Sequence, residues 1–302
     1  MTRLLLGFVL LMGLKGNALA QKDAPPEPSL PEKPEDSDSG SPYQSTVKAH
    51  KPSPLWTQDR SFTSTRFWLL DPGQYEVETW LRTRVFHEIN GTQPPAEILF
   101  QNELEIGLFP HVQIDIYENL TFNVEDSGKR GVQQEGVQLE ARIAIPSYYD
   151  QIFGNPVIYL EFHPMHNNPD RAEVRILLGE GFLGNRLYVA MNPYFETNVE
   201  QLGGQWILDA ELGTTLAAGV KITDWLRVSG EVKVGGDMLG DPSNKFHFVA
   251  WAGPGFILKP LPGKLKQYLK IMGTLLIDLL PRSDPTVNPQ QLEPLFIIGS
   301  QF

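Results

Sequence analysis

Polar and apolar side chains alternate with a period of two from residue 72 to the C-terminus, and this alternation constrains the fold more than any other feature. The clearest stretch is 206–222, where apolar residues occupy nearly every even-numbered position and the charged residues Asp209, Glu211 and Lys221 occupy odd-numbered positions. Strands in globular proteins are usually ~5–6 residues long. A run of this length therefore predicts a strand longer than a soluble sheet requires.

The same alternation recurs in further segments, which are separated by turn-forming residues such as Asn90-Gly91 and Gly203-Gly204. Segments this close in sequence pair most simply as antiparallel hairpins. We predict an all-β fold, an antiparallel transmembrane β-barrel of about twelve strands over residues 72–302. The predicted strands are 75–85, 98–108, 112–124, 137–145, 156–164, 171–180, 185–196, 205–222, 225–236, 245–258, 266–278 and 292–302.

A water-soluble β-sandwich also shows alternation and is the alternative fold. The barrel is favoured because the strands are long and no helical pattern covers a sheet edge. Aromatic residues also fall near predicted strand ends, where membrane barrels carry interfacial girdles; examples are Trp206, Trp225, Trp251 and Phe302. Glu118 falls on the apolar face of its strand, which suggests a local bulge or a position near the rim.

The first 20 residues predict a cleaved secretory signal peptide. Arg3 precedes an apolar stretch from Leu4 to Leu14, and Ala18-Leu19-Ala20 provides a small-residue cleavage site. We therefore expect export to the cell outer membrane. With the N-terminus in the periplasm, the extracellular loops would be 87–97, 125–136, 165–170, 197–204, 237–244 and 279–291.

Residues 21–71 form a segment rich in Pro, Glu and Ser, and we predict that it is a disordered periplasmic extension. Four aromatic residues near its end are expected to anchor it at the periplasmic interface: Trp56, Phe62, Phe67 and Trp68. The chain has no cysteine, which excludes disulfides and thiolate chemistry. Its net charge of −11 argues against nucleic acid as a partner, because nucleic acid selects basic patches.

The last segment, 292–302, ends on Phe302 and places Phe296 and Ile298 at alternate positions before it. It resembles the C-terminal strand of Gram-negative outer-membrane β-barrels, although Pro294 and Ser300 depart from that pattern. The resemblance implies a location in outer-membrane lipid and recognition by the barrel-assembly machinery through Phe296, Ile298 and Phe302. More loosely, the segments 75–78, 103–108 and 113–117 resemble an uncharacterised, transporter-like group of proteobacterial barrels, and they imply no catalytic residues.

The polar faces of the predicted strands are rich in charge, with eleven acidic and seven basic residues expected to line the lumen. This set predicts a narrow channel or transporter for ions or small polar solutes with a net acidic lumen. The alternative is a filled interior cross-linked by salt bridges, as in a non-conducting structural or adhesion barrel. The predicted lumen residues are Glu76, Glu78, Arg82, Arg84, Glu103, Glu105, Asp115, Glu140, Arg142, Glu161, Glu173, Arg175, Asp209, Glu211, Lys221, Arg227, Glu231 and Lys233.

The sequence offers little support for enzymatic or metal chemistry. His163 and His166, with Glu161 and Asp170 nearby, are the one cluster of metal-ligating residue types, but Pro164 makes a shared site unfavourable. No nucleophile elbow frames the loop serines considered for an outer-membrane hydrolase, a less favoured alternative. Those serines are Ser127, Ser243 and Ser283, and the histidines considered with them are His87, His111 and His247. We predict no enzyme activity, no metal and no cofactor.

Overall fold

The computed structural model describes the chain in segments separated by loops. The described residues are 60–67, 69–86, 96–124, 130–145, 152–165, 169–202, 205–238, 246–259, 269–280 and 290–302. Outside them lie the predicted signal peptide, the tail up to residue 59, which includes Trp56, and the single residue Trp68. In this described part no helix is long and apolar enough to cross a membrane.

Twelve antiparallel strands form one closed barrel in which each strand pairs with its neighbours in sequence. Closure is made by the first and last strands, where Glu76 lies opposite Gln301 and Arg82 lies opposite Leu295. The fold prediction is confirmed. The strands are β1 Tyr75–Phe86, β2 Glu97–Phe109, β3 Val112–Val124, β4 Arg130–Ala144, β5 Val157–His163, β6 Asp170–Phe182, β7 Leu187–Leu202, β8 Gln205–Lys221, β9 Leu226–Met238, β10 Phe246–Leu258, β11 Leu269–Asp278 and β12 Gln290–Gln301.

The two ends of the barrel differ. We call the end where β1 begins and β12 ends the base, and the opposite end the mouth. Tyr75 stacks on Phe302 at the base, with ring centroids 5.1 Å apart. Short turns, such as the one between β8 and β9 at residues 222–225, also lie at the base. By the sequence argument, the base is the predicted periplasmic end.

Alternation along the strands separates two chemically opposite surfaces. Outward side chains are large and apolar, and Leu212, Phe248 and Ile298 remain 53%, 57% and 53% exposed. Inward side chains include most of the charged residues, among them the fully buried Glu78 and Glu105, together with apolar clusters such as that of Met272 and Leu295. A soluble sandwich would reverse this arrangement by burying its apolar face. The closed barrel with an apolar exterior is instead the arrangement of a transmembrane β-barrel.

Strand boundaries differ from the prediction where a bulge or a run of polar residues interrupts the alternation. β4 begins at Arg130 rather than at 137, because the register shifts opposite Asn119 and Leu120 and one extra residue reverses the parity. Gly136 adopts a φ of 127° at this bulge. Glu118 lies beside the bulge on the outward face. The predicted loop 197–204 is wrong, since β7 continues to Leu202 although its last residues are mostly polar.

Candidate functional site

The chain enters the barrel before it forms the wall. Residues 60–67 and 69–71, which we call the plug, lie inside the lumen between the base and mid-height. Arg60, Phe62 and Phe67 are 0%, 1% and 2% exposed. The predicted disordered segment therefore ends too late at residue 71, and Phe62 and Phe67 do not anchor an external tail. Trp251, expected in a girdle, is also an inward-facing, buried residue.

A tight turn returns the chain from the plug to β1. Asp71-Pro72-Gly73-Gln74 forms this turn, with the Gln74 N–H donating to the Asp71 carbonyl at 3.0 Å and Gly73 at a φ of 84°. Proline followed by glycine suits such a turn, because proline fixes φ near −65° and glycine accepts a positive φ. This signal was available in the sequence and marks the point where the chain reverses direction.

Apolar residues of the plug pack against buried residues of the wall. Leu69 is buried with Ala144, Val157, Tyr159 and Leu177. Phe67 lies over Gly179, where an added Cβ would lie 2.6 Å from the Phe67 Cγ atom. The wall therefore has no side chain at this position, and the Phe67 ring fills the space.

Wall side chains satisfy the plug's backbone. Glu231 accepts from the N–H groups of Thr63, Ser64 and Thr65 at 2.9, 2.8 and 3.2 Å, and from the hydroxyls of Thr63 and Ser64. Asn192 accepts from the Arg66 N–H and donates to the Arg66 carbonyl, both at 2.6 Å. A backbone buried outside a sheet needs such partners, because an unpaired N–H or carbonyl costs free energy.

Six buried carboxylates form a connected group on β1–β4, which we call the acidic belt. The wall supplies two cations to this group. Arg142 lies 2.8 Å from Asp115 and 3.5 Å from Glu105, while Lys270 of β11 lies 2.8 Å from Glu78. The belt carboxylates are Glu76, Glu78, Glu103, Glu105, Asp115 and Glu140.

The plug supplies the belt with two further cations. Arg66 lies 2.9 Å from Glu140 and 3.3 Å from Glu103, and Arg60 pairs with Glu78. Both guanidinium groups also lie over the ring of Trp80, at 4.2 Å for Arg60 and 5.2 Å for Arg66. The prediction of lumen residues did not include Arg60, Arg66 or Lys270, since two lie outside the predicted barrel and the third was not assigned to a face.

Two overlapping sets of belt carboxylates are close enough to hold a metal ion by spacing alone. Glu103 belongs to both sets, one with Glu78 and Glu105 and the other with Asp115 and Glu140. Arg142 and the two plug arginines already lie among these oxygens. The chemistry that the site displays is therefore recognition of guanidinium groups by carboxylates.

A cavity of about 690 Å³, the vestibule, lies between the plug and the mouth. Thr63, Ser64 and Arg66 of the plug form part of its lining. Its charges are paired locally around the wall: Arg84 lies 3.0 Å from Glu97, and Lys233 lies 3.1 Å from Glu211. The vestibule is thus a polar chamber in which acidic and basic side chains neutralise each other.

The predicted lumen residues divide among these regions. Glu76, Glu78, Glu103, Glu105, Asp115, Glu140 and Arg142 lie in the belt, and Arg82, Arg84, Glu161, Glu173, Arg175, Glu211 and Lys233 line the vestibule. Glu231 and Arg227 contact the plug, the latter by donating to the Ser61 hydroxyl at 3.0 Å. Lys221 pairs with Asp224 in the turn at the base. The side chain of Asp209 lies outside the described residues.

Residues considered for other chemistry and for assembly are scattered. His163 is buried beside Asn119, whereas His166 lies outside the described residues. Ser127, Ser243, Ser283 and His87 lie outside them as well, as does the side chain of His247, and His111 sits in the turn between β2 and β3. Phe296, Ile298 and Phe302 are about half exposed on the outer surface, at 48%, 53% and 50%.

Comparison with known proteins supports the fold class. No protein-family model and no curated protein matches the sequence. An outer-membrane channel from Pseudomonas putida F1 is similar in structure, with a TM-score of 0.53 and 10% identity over 77% of this chain and 97% of the other. The NanC porin gives a TM-score of 0.47 and 14% identity over 76% and 98% of the two chains. The translocator domain of the autotransporter NalP from Neisseria meningitidis gives 0.45 and 9% over 76% and 87%.

The closed barrel, its apolar exterior and the Pseudomonas putida similarity together define the class as an outer-membrane β-barrel. At 10% identity the similarity extends to the fold alone.

Proposed function

We propose that this protein is a gated outer-membrane channel for ions or small polar solutes, and that the plug must leave its position for a solute to pass. The plug is the observation on which the proposal depends. It fills the base half of a lumen whose mouth half contains a polar chamber. A barrel that served only as a scaffold would have no need of the chamber.

The way the plug is held favours displacement. In its contacts with Glu231, Asn192 and Gln113, the plug backbone donates hydrogen bonds to wall side chains, and there is no β-ladder with a neighbouring strand among the described residues. The wall strands pair with one another around the full circle. Removal of the plug therefore leaves the ring of twelve strands intact, and the lost contacts are confined to the lumen.

We propose the cellular context from the sequence argument. The first 20 residues direct export as a cleaved signal peptide, the base faces the periplasm, and outer-membrane lipid surrounds the apolar exterior. Phe296, Ile298 and Phe302 form the signal read by the barrel-assembly machinery. Fractionation tests the location, because an outer-membrane barrel is extracted with detergent from that fraction and migrates faster on gels before heating than after it.

A disulfide lock tests the gate. The hydroxyl oxygens of Thr63 in the plug and Thr274 in β11 lie in contact, so cysteines at these positions would be close enough to bond. The chain has no other cysteine, which makes the lock specific. In planar bilayers, we expect the oxidised variant T63C/T274C to be silent and dithiothreitol to restore the wild-type current. The single variants T63C and T274C serve as controls and should conduct under oxidising conditions.

A second function is supported by the same interior. Buried ion pairs around the belt and the plug are also what a non-conducting structural barrel would contain. If wild type, reduced variant and oxidised variant all carry no current at any voltage, the structural barrel is the correct function. If the oxidised variant conducts as well as the reduced one, the path does not require the plug to move.

A further inference from the structure

The acidic belt depends on the plug for half of its positive charge. Its six carboxylates face two cations of the wall, Arg142 and Lys270, and two cations of the plug, Arg60 and Arg66. When the plug leaves, the carboxylates beside Arg60 and Arg66 lose those partners. The six belt carboxylates then face only the two wall cations Arg142 and Lys270, so the excess negative charge of the open lumen attracts a replacement cation.

Aromatic side chains define what kind of cation fits. The Trp80 indole N–H donates to Glu78 at 3.0 Å, which fixes the ring face toward both plug guanidiniums. The Tyr117 hydroxyl accepts from Arg66 at 2.6 Å, and its ring lies 5.7 Å from the same guanidinium. Carboxylates alone would accept any cation, whereas flat ring faces select a planar, weakly hydrated one.

We propose that Trp80 and Tyr117, together with Glu78, Glu103 and Glu140, form a binding site for guanidinium-bearing organic cations. While the plug is in place, its Arg60 and Arg66 occupy this site instead of the solute. The inference rests on the proposed displacement of the plug. A guanidinium solute that enters through the vestibule competes with the plug for the belt, so binding of the solute and opening of the barrel are coupled.

Competition with the plug can be measured without an ion current. In the purified full-length variant T63C/T274C, the disulfide forms only while the plug is in place. We expect L-arginine methyl ester at millimolar concentration to slow disulfide formation severalfold. L-citrulline methyl ester, which replaces the charged guanidinium by a neutral urea of the same shape, should have little effect at the same ionic strength.

Variants of the ring face test the assignment. In the same double-cysteine protein, W80L should weaken the ester's effect about tenfold in concentration, the factor that ~1.4 kcal/mol of lost cation–π and packing energy produces. W80F keeps an aromatic face and should retain most of the effect. E118Q removes a carboxylate on the outward face of β3 and should leave it unchanged. Each comparison is the ratio of rates with and without ester; a looser plug would make the ester compete better, so a weaker effect in W80L reports loss of the ring face and not loosening of the plug.

The outcomes separate this site from the channel itself. If arginine and citrulline esters slow the disulfide equally, or if W80L responds as wild type does, the guanidinium site is overturned even where dithiothreitol opens a current. If the arginine ester alone acts but no variant ever conducts, the site stands and the channel function fails. Gel heat-modifiability of every variant shows that the barrel has folded before either conclusion is drawn.

Discussion

The belt and the vestibule are both charged parts of one lumen, but they neutralise their charges differently. In the vestibule, Arg84 pairs with Glu97 and Lys233 pairs with Glu211, and these side chains are between about a fifth and two fifths exposed. In the belt, carboxylates such as Glu78 and Asp115 are fully buried and outnumber the cations of the wall. The charges of the vestibule wall pair with one another, whereas the carboxylates of the belt need the two plug arginines as additional cations.

The difference matters because burial changes the energy of a charge. An exposed ion pair contributes about 0–1 kcal/mol to stability, since water already solvates both partners. Removing one partner of a buried pair costs about 3–5 kcal/mol, since the other charge stays buried without compensation. Removing a charge from the belt or from the plug should therefore destabilise the protein strongly. The vestibule serves as a control region, in which similar substitutions should change the stability little.

The largest effect should follow loss of a plug arginine. R66Q leaves Glu103 and Glu140 with fewer cations, and we expect it to lower the stability of the closed state by about 3–5 kcal/mol. R84Q in the vestibule is the control and should cost about 0–1 kcal/mol. Urea unfolding followed by gel heat-modifiability measures both. Equal losses in the two variants would mean that the belt and the vestibule do not differ in this way.

Loss of the carboxylate that holds the plug should have the next largest effect. E231Q has one oxygen left to accept from the Thr63–Thr65 segment, and we expect about 3 kcal/mol in favour of the displaced plug. Trypsin cleavage at Arg60 and Arg66 in the folded barrel should become about a hundredfold faster. E211Q, an equivalent change in the vestibule, should alter cleavage far less. A plug that stays protected in E231Q would show that the apolar contacts alone retain it.

The sequence predicted the wall better than the interior. Alternation encodes which face of a strand meets lipid, so the twelve strands could be predicted from segments such as 206–222. The plug has no periodicity, because residues 60–67 and 69–71 are held by irregular contacts to wall strands that include β1–β4, β7, β9 and β11. Its signals were the Pro72-Gly73 turn and the aromatic residues Phe62 and Phe67, which differ from the Pro- and Ser-rich tail before them.

Position along the lumen also escaped prediction. Parity assigns Glu78 and Glu211 to the same inward face but says nothing about which neighbours share their depth. Belt and vestibule became distinct only when the register placed Glu78 opposite Glu103 and Glu196 opposite Glu211. The apparent excess of acidic residues is thus concentrated beside the plug, and the count of charges alone could not show this.

Packing of the plug against the wall should give a smaller effect than the charges. G179A places a methyl group 2.6 Å from the Phe67 Cγ atom, and we expect overpacking to destabilise the bound plug by about 1–3 kcal/mol, which is measured as faster trypsin cleavage of the plug. G230A is the control, because a Cβ added at Gly230 meets nothing within 4 Å. If both variants are cleaved at the wild-type rate, Phe67 moves aside without cost and the apolar contacts do not hold the plug.

The smallest effect lies outside the lumen, in the turn at the base. Lys221 donates a hydrogen bond to Asp224, and this bond and the ammonium charge lower the pKa of the Asp224 carboxyl from its ordinary value. The pair therefore contributes above the ordinary pKa of aspartate, and the contribution is lost as pH falls through the lowered one. K221M should raise the pKa of Asp224 toward its ordinary value, and K221R should keep it low. Carboxyl carbon shifts in detergent micelles measure the change. An equally low pKa of Asp224 in K221M would require another cation near the turn. A rise in the pKa of Asp224 alone, with trypsin cleavage of the plug unaltered, would show that charges at the base act locally. Charges of the belt, by contrast, act through the plug.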